Sequence, residues 1–291
     1  MWVAAARRVG YPISSPRFPR PALAHGHKRF RLARVLLACD LNPDYLDFWP
    51  STRRAWREIV GLDVTLVLVA DSGAIPPVLL NDPDVIVFEP LAGVHTVFQA
   101  QCLRLLYPAT MTASGAVIVS DLDLYPLRAG YFHEPVRRLD ERFFVVYRDG
   151  RVGRSELDIG FNAALPSTWS EVFGISTIAD VRAELGRWSE GLVYDGRRGW
   201  DGWYTDQRTL YAKLLSWPER AGRLWVLDDQ YCGFRRLDRM ELEHEEGLEP
   251  RRIEELRQGA YSDFNCLVPY RDHREVNDRV LELAIEAARG H

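Results

Sequence analysis

The chain has 291 residues, of which 47% are hydrophobic, 11% aromatic and 27% charged, enough apolar material for a substantial core and no bias toward disordered or collagen-like sequence. A formal charge of −4 gives no global basic field, so a nucleic-acid partner is not expected. No apolar stretch approaches the ~18 residues needed to cross a bilayer, so no transmembrane segment is expected either.

Residues 1–32 read as a basic, Pro- and Arg-rich extension without ordered structure. No acidic residue precedes Asp40, while Arg7, Arg8, Arg17, Arg20, Lys28, Arg29 and Arg31 are all basic. A targeting segment is the alternative, but Pro12, Pro16, Pro19 and Pro21 argue against a continuous amphipathic helix. Cys39, Cys102, Cys232 and Cys266 lack metal-ligand spacing and sit among apolar neighbours, as buried free thiols do. A reducing, cytoplasmic location follows as the expectation.

The remainder, 33–291, reads as a single α/β domain, with 33–125 as a ligand-binding first half and 126–291 as an irregular second half. Ordered structure is expected from about Arg34, with the run V-L-L-A-C forming a buried strand that ends at Asp40. A loop and a helix turning Trp56 and Ile59 inward lead to strands over 63–70 and 84–88. From 94 to 107, Phe98, Cys102, Leu105 and Leu106 recur at helical spacing, Gln101 and Arg104 share another face, and Pro108 stops the helix. The strand A-V-I-V at 116–119 runs directly into S-D-L-D. Further strands are expected over 143–147, 157–164 and 224–227, and helices over 167–173, 178–185, 205–215 and 275–288. Strands alternating with helices point to a mixed, mostly parallel central sheet flanked by helices.

Asp121 and Asp123 at the end of an apolar strand place two hard oxygen donors at the carboxyl edge of a sheet, where open α/β folds bind ligands. Such a pair suits Mn2+ or Mg2+ shared with phosphate oxygens; the plainer alternative is a turn with two solvated aspartates. Arg104 has a guanidinium fork that matches carboxylate or phosphate geometry. Gln101 and Asn162 can both donate to and accept from sugar hydroxyls. In G-W-D-G-W-Y-T-D-Q, Trp200 and Trp203 offer faces for sugar C–H groups, and Asp201, Asp206 and Gln207 offer polar partners beside a helix start. His95, His133 and His244 do not cluster and read as structural or surface residues. The charge run from Arg239 to Glu249 reads as a solvated helix or loop.

Six segments occur in an order that resembles the glycogenin-like and lipopolysaccharide-galactosyltransferase-like enzymes of the GT-A fold. They are V-L-L-A-C-D followed by N-P-D-Y, Q-C-L-R-L-L-Y-P, S-D-L-D-L-Y-P-L, G-F-N-A-A-L-P-S-T-W, T-D-Q-R-T-L and Y-S-D-F-N-C-L-V-P-Y, spanning about Val35 to Tyr270. The resemblance implies a metal-dependent glycosyltransferase that moves a sugar from a UDP- or GDP-sugar to a hydroxyl of a glycan, protein or small molecule, with retention of anomeric configuration. It implies Asp40 as a nucleotide contact, Asp121 and Asp123 as metal ligands, and Asp206, Asp201 or Gln207 as the groups that stabilise positive charge at the anomeric carbon. In an inverting enzyme one of those aspartates would instead be the base. Where such enzymes supply a metal-binding histidine and then a basic residue before the final proline, this chain has Asn265 and Val268, so Asn265, Asp263 and His273 are the candidates for a third ligand. The competing readings are a nucleotidyltransferase, which normally carries a Gly-rich basic loop where N-P-D-Y stands, and a catalytically silent sugar- or nucleotide-binding protein.

Overall fold

The computed structural model describes residues 28–200, 202–229, 233–242 and 247–290. Of the expected extension over 1–32, residues 1–27 lie outside them, as do Asp201, Cys232 and His244. In chain order the strands and longer helices are β1 (Leu32–Asp40), α1 (Trp49–Ala55), β2 (Asp63–Val69), β3 (Val85–Phe88), α2 (Thr96–Leu106), β4 (Ala116–Val119), β5 (Leu124–Pro126), β6 (Phe144–Val146), β7 (Asn162–Ala164), α3 (Pro166–Phe173), α4 (Ile178–Ser189), α5 (Thr205–Ser216), β8 (Leu224–Val226), β9 (Arg235–Asp238), α6 (Pro250–Arg257), β10 (Tyr261–Asn265) and α7 (Arg274–Arg289).

Seven strands form one sheet in the order β3-β2-β1-β4-β7-β6-β8. Four of its pairings are parallel and two, those of β7, are antiparallel. The sheet is therefore mixed and mostly parallel, with helices on both faces. Its strands are apolar on both sides because both sides are covered. Val35 and Leu37 of β1 pack with Trp56, Ile59 and the α7 residues Val280 and Leu281. Leu36, between them, points to the other face, against Phe98, Cys102 and Leu105 of α2 and Trp169 of α3. The period-2 alternation of a strand thus divides one apolar run between two cores.

Backbone pairing starts upstream of the expected boundary. Phe30 donates to the Leu139 carbonyl at 2.8 Å, and Phe30 and Leu32 are both buried. The strand expected over 157–164 shrinks to 162–164: Asp158, Ile159 and Gly160 line a cleft instead of continuing the ladder, while Leu157 and Phe161 are buried in the core. Local signals end the helices: Thr177 and Asp180 form a capping box on α4, and Gly174 adopts a left-handed conformation after α3. Among the described residues no helix is long and apolar enough to cross a membrane. Cys39, Cys102 and Cys266 are buried free thiols.

A second, three-stranded sheet has the order β5-β10-β9 and was not expected from the sequence. β10 runs antiparallel to β5, pairing Asn265 with Leu124, and parallel to β9, pairing Asn265 with Asp238. That register sets Asp123, Arg239 and Asn265, each at or next to a paired position, at one end of the small sheet.

Candidate active site

β1 and β4 are parallel neighbours, so Asp40 and the Asp121-Leu122-Asp123 segment leave the sheet at the same edge. Asp121, Leu122 and Asp123 all line a cleft of about 280 Å³, and Leu122 also packs into the core. Backbone contacts fix that segment. The Leu122 carbonyl accepts from the Thr52 hydroxyl at 2.5 Å, and the Asp123 carbonyl accepts from the Cys266 amide at 2.9 Å. Gly160 approaches it closely: a Cβ there would lie 2.7 Å from Leu124 Cδ1. A larger residue at 160 would therefore push on the side chain of Leu124, the residue after Asp123.

Arg104 is only 9% exposed, so the structure takes it from the solvated face of an amphipathic helix to the floor of the cleft. One nitrogen pairs with Asp121 and the other lies 2.9 Å from Asp206 Oδ2. Asp206, 2% exposed in the first turn of α5, accepts a second hydrogen bond from the Gln207 amide at 2.7 Å. Burial pushes the Asp206 carboxyl above its usual range, and the Arg104 guanidinium only partly offsets this. Gln207 lines the cleft, and its Oε1 is buried without a hydrogen-bond partner among the described residues.

Arg239 forms the other side. Its Nη2 lies 2.5 Å from Asp123 Oδ2 and also donates to the side-chain oxygen of Asn265. The guanidinium is 16% exposed, so the expectation of a solvated charge run fails at its first residue. Burial weakens the charged form of Arg239, but Asp123 outweighs this and its pKa is raised. Asn265 donates in turn to Asp238 at 3.3 Å. The lining holds six arginines and six aspartates, so it is formally neutral among the described residues.

Of the other expected site residues, Asp40 lines the cleft and accepts from the Thr96 hydroxyl at 2.7 Å and the Asn42 amide at 3.1 Å. Gln101 also lines it, its oxygen taken by the Tyr194 hydroxyl at 2.9 Å. Trp203 lines it with its ring parallel to that of Tyr194, the centroids 6.3 Å apart. Asn162 does not reach the lining. It is fully buried, and its amide donates to the carbonyls of Asp158 at 2.8 Å and Ile159 at 2.6 Å, so it braces the wall and has no amide hydrogen left for a sugar. Trp200 lies outside the lining, 60% exposed beneath the Arg197 guanidinium. Asp201 is outside the described residues.

The three candidates for a third metal ligand also separate. Asp263 is fully buried and paired with Arg148 and Arg236, and His273 precedes α7 away from the lining. Only Asn265 reaches the cleft, and it offers a neutral carboxamide. Asp121 and Asp123 each already hold a guanidinium, and among the described residues no group of three His, Cys, Asp or Glu is placed to bind a metal. This donor set does not fit a divalent cation, which takes ionised oxygen ligands free to approach it.

The sequence reading missed Arg239, Arg236, Arg198, Arg151 and Tyr45 as lining residues. Tyr45 stood within the quoted N-P-D-Y. The arginines carried no local signal that set them apart from the chain's many others. His95 accepts from the Val97 amide at the start of α2, and His133 contacts the Val60 carbonyl at 3.0 Å, the structural roles expected of them.

No protein-family model matches the chain, and no curated protein matches it. Among solved structures it is similar to the galactosyltransferase LgtC in complex with donor and acceptor sugar analogues, at 13% identity over 86% of this chain and 95% of that one, with a TM-score of 0.44. It is similar to the glycosyltransferase GlyE of Streptococcus pneumoniae TIGR4, at 14% identity over 89% of this chain and 60% of that one, with a TM-score of 0.46. It is also similar to mouse xyloside xylosyltransferase 1, at 11% identity over 81% of this chain and 97% of that one, with a TM-score of 0.39. At these identities and TM-scores the likenesses carry no functional weight.

Proposed function

We propose that the chain is a glycosyltransferase that moves a sugar from a nucleoside-diphosphate sugar, UDP- or GDP-linked, to a hydroxyl acceptor. The observation that carries this reading is the arrangement at the sheet's carboxyl edge, where Arg104 spans Asp121 and Asp206 and Arg239 faces Asp123. Guanidinium groups on two sides of a cleft suit a diphosphate, and the polar groups between them suit a sugar. Asp40 and Tyr45, at the β1 end, take the nucleoside. Gln101, Gln207 and Trp203 take the sugar and the acceptor.

In the reaction the bond from the anomeric carbon to the diphosphate oxygen breaks, and its electron pair leaves with the diphosphate. The acceptor oxygen bonds to the carbon, and its proton passes to the departing diphosphate. Arginines aimed at the diphosphate stabilise the charge that grows there, and they are already oriented by their carboxylate partners. Both oxygens of Asp206 are committed, one to Arg104 and one to the Gln207 amide. Asp206 is thus a positioning residue, and Gln207 is the polar lining residue beside it for the sugar. This division favours retention, since Asp206 has no oxygen free to act as a base.

A panel of nucleotide sugars with simple glycoside acceptors, scored for nucleoside diphosphate release, tests the reading. Turnover of at least one UDP- or GDP-sugar is expected. Absence of both binding and turnover across the whole panel would overturn it.

A further inference from the structure

The two aspartates at the end of β4 pose an electrostatic problem. Two carboxylates facing a bound diphosphate repel it unless a positive charge stands between them. In this chain a positive charge already stands there, and it is covalently part of the fold. We propose that Arg239 is the resident cation of the site and that the chain binds nucleoside diphosphate without a divalent metal. This rests on the donor reading above.

Three observations converge on Arg239. Its Nη2 bridges Asp123, at 2.5 Å, and the side-chain oxygen of Asn265, so two donors of the guanidinium are spent holding it in place. Nε is buried, so the two N–H groups of Nη1 remain for phosphate oxygens. The position is set by the small sheet: Asn265 pairs with Leu124 on one side and Asp238 on the other, which brings residues next to 123 and 239 together across more than a hundred positions of sequence. Finally, the third corner is a carboxamide. A neutral oxygen is a good acceptor for a guanidinium and adds no charge for a metal ion to neutralise. Arginine stays protonated at any physiological pH, so this cation is not lost to chelators and its charge does not vary. Arg104 faces Asp121 in a similar way but is shared with Asp206, whereas Arg239 serves Asp123 as its single charged partner at this corner among the described residues.

The test is calorimetry with UDP and GDP on the full chain, in excess EDTA and again with Mn2+ or Mg2+, for the wild type, Arg239→Lys, Arg239→Ala and Arg239→Ala combined with Asn265→His. Thermal melts accompany each variant. The wild type is expected to bind one nucleotide with an affinity that changes less than about 3-fold between EDTA and metal. Arg239→Ala should weaken binding in EDTA by about 10- to 100-fold, the scale of a lost charge-assisted contact. Arg239→Lys, keeping a point charge without the fork, should fall between. The Ala/His double variant, with Asp123 freed and a metal-binding imidazole supplied, should regain affinity only when Mn2+ is added. Wild-type binding that disappears in EDTA would overturn the inference while leaving the glycosyltransferase reading standing. Unchanged binding by a folded Arg239→Ala in EDTA would also overturn it. No binding by the wild type under any condition would remove the donor reading and this inference with it.

Discussion

Asp206 and Asp263 are both buried carboxylates that face arginine, yet replacing each with asparagine should affect stability very differently. For Asp263, fully enclosed, burial raises the pKa but Arg148, Arg236 and the Ser262 hydroxyl outweigh it, holding the carboxyl below the usual range. Its folded pKa therefore lies below the unfolded value of about 3.9, so ionised Asp263 stabilises the fold above that pH. This contribution is lost as the pH falls through the folded pKa. At Asp206 burial wins over Arg104 and the folded pKa is raised. Ionised Asp206 thus costs stability at neutral pH, and the cost vanishes as the pH falls from above the folded pKa to below the unfolded one. A neutral isostere removes that cost and leaves Arg104 paired with Asp121. Asp263→Asn instead strands Arg148, 2% exposed, with a weakened partner, a loss of about 3 kcal/mol on the scale of broken buried pairs. In a chain of this size that is roughly 6–12 °C in Tm. Asp206→Asn should cost no more than about 1 kcal/mol, roughly 2–4 °C. Thermal unfolding at neutral pH, followed by circular dichroism, measures both. Turnover of Asp206→Asn should nevertheless fall by roughly 100-fold, because Arg104 keeps Asp121 as a charged partner but loses the orientation that ionised Asp206 imposes. An Asp206→Asn melt as low as that of Asp263→Asn, or an Asp263→Asn that melts like wild type, would refute the reasoning.

Gly160→Ala sets a Cβ against Leu124 Cδ1 and should cost about 1–3 kcal/mol, with partial recovery when Leu124→Val is added; unfolding midpoints of the single and double variants check it. Trp203→Ala should raise the KM for acceptor or donor sugar by about 10-fold, while exposed Trp200→Ala stays near wild type. Equal effects of the two in steady-state assays would contradict the assignment of Trp203 to the cleft. Asn162→Ala removes the bonds to the Asp158 and Ile159 carbonyls and should destabilise by about 1–3 kcal/mol, read in denaturant melts.

The sequence by itself determined the main sheet. Apolar runs such as V-L-L-A-C and A-V-I-V carry a local period, and the strand over 116–119 appears where the pattern places it. The 96–106 helix is written in the spacing of Phe98, Cys102 and Leu105. Asp121 and Asp123 could be placed at a ligand-binding edge because a strand's end is visible in its own sequence. What no local pattern carries is who meets those carboxylates. The small sheet is built from strands of three to five residues, β9 reading R-R-L-D, with too little apolar alternation to announce itself. Its register brings Arg239 to Asp123, and α5 brings Asp206 under Arg104, 102 positions away in sequence. Whether an arginine is a solvated surface charge or a buried partner depends on which chain segment covers it, and that is a long-range packing outcome. The sequence thus showed where the acidic edge lies, and only the tertiary structure supplied the cations that face it.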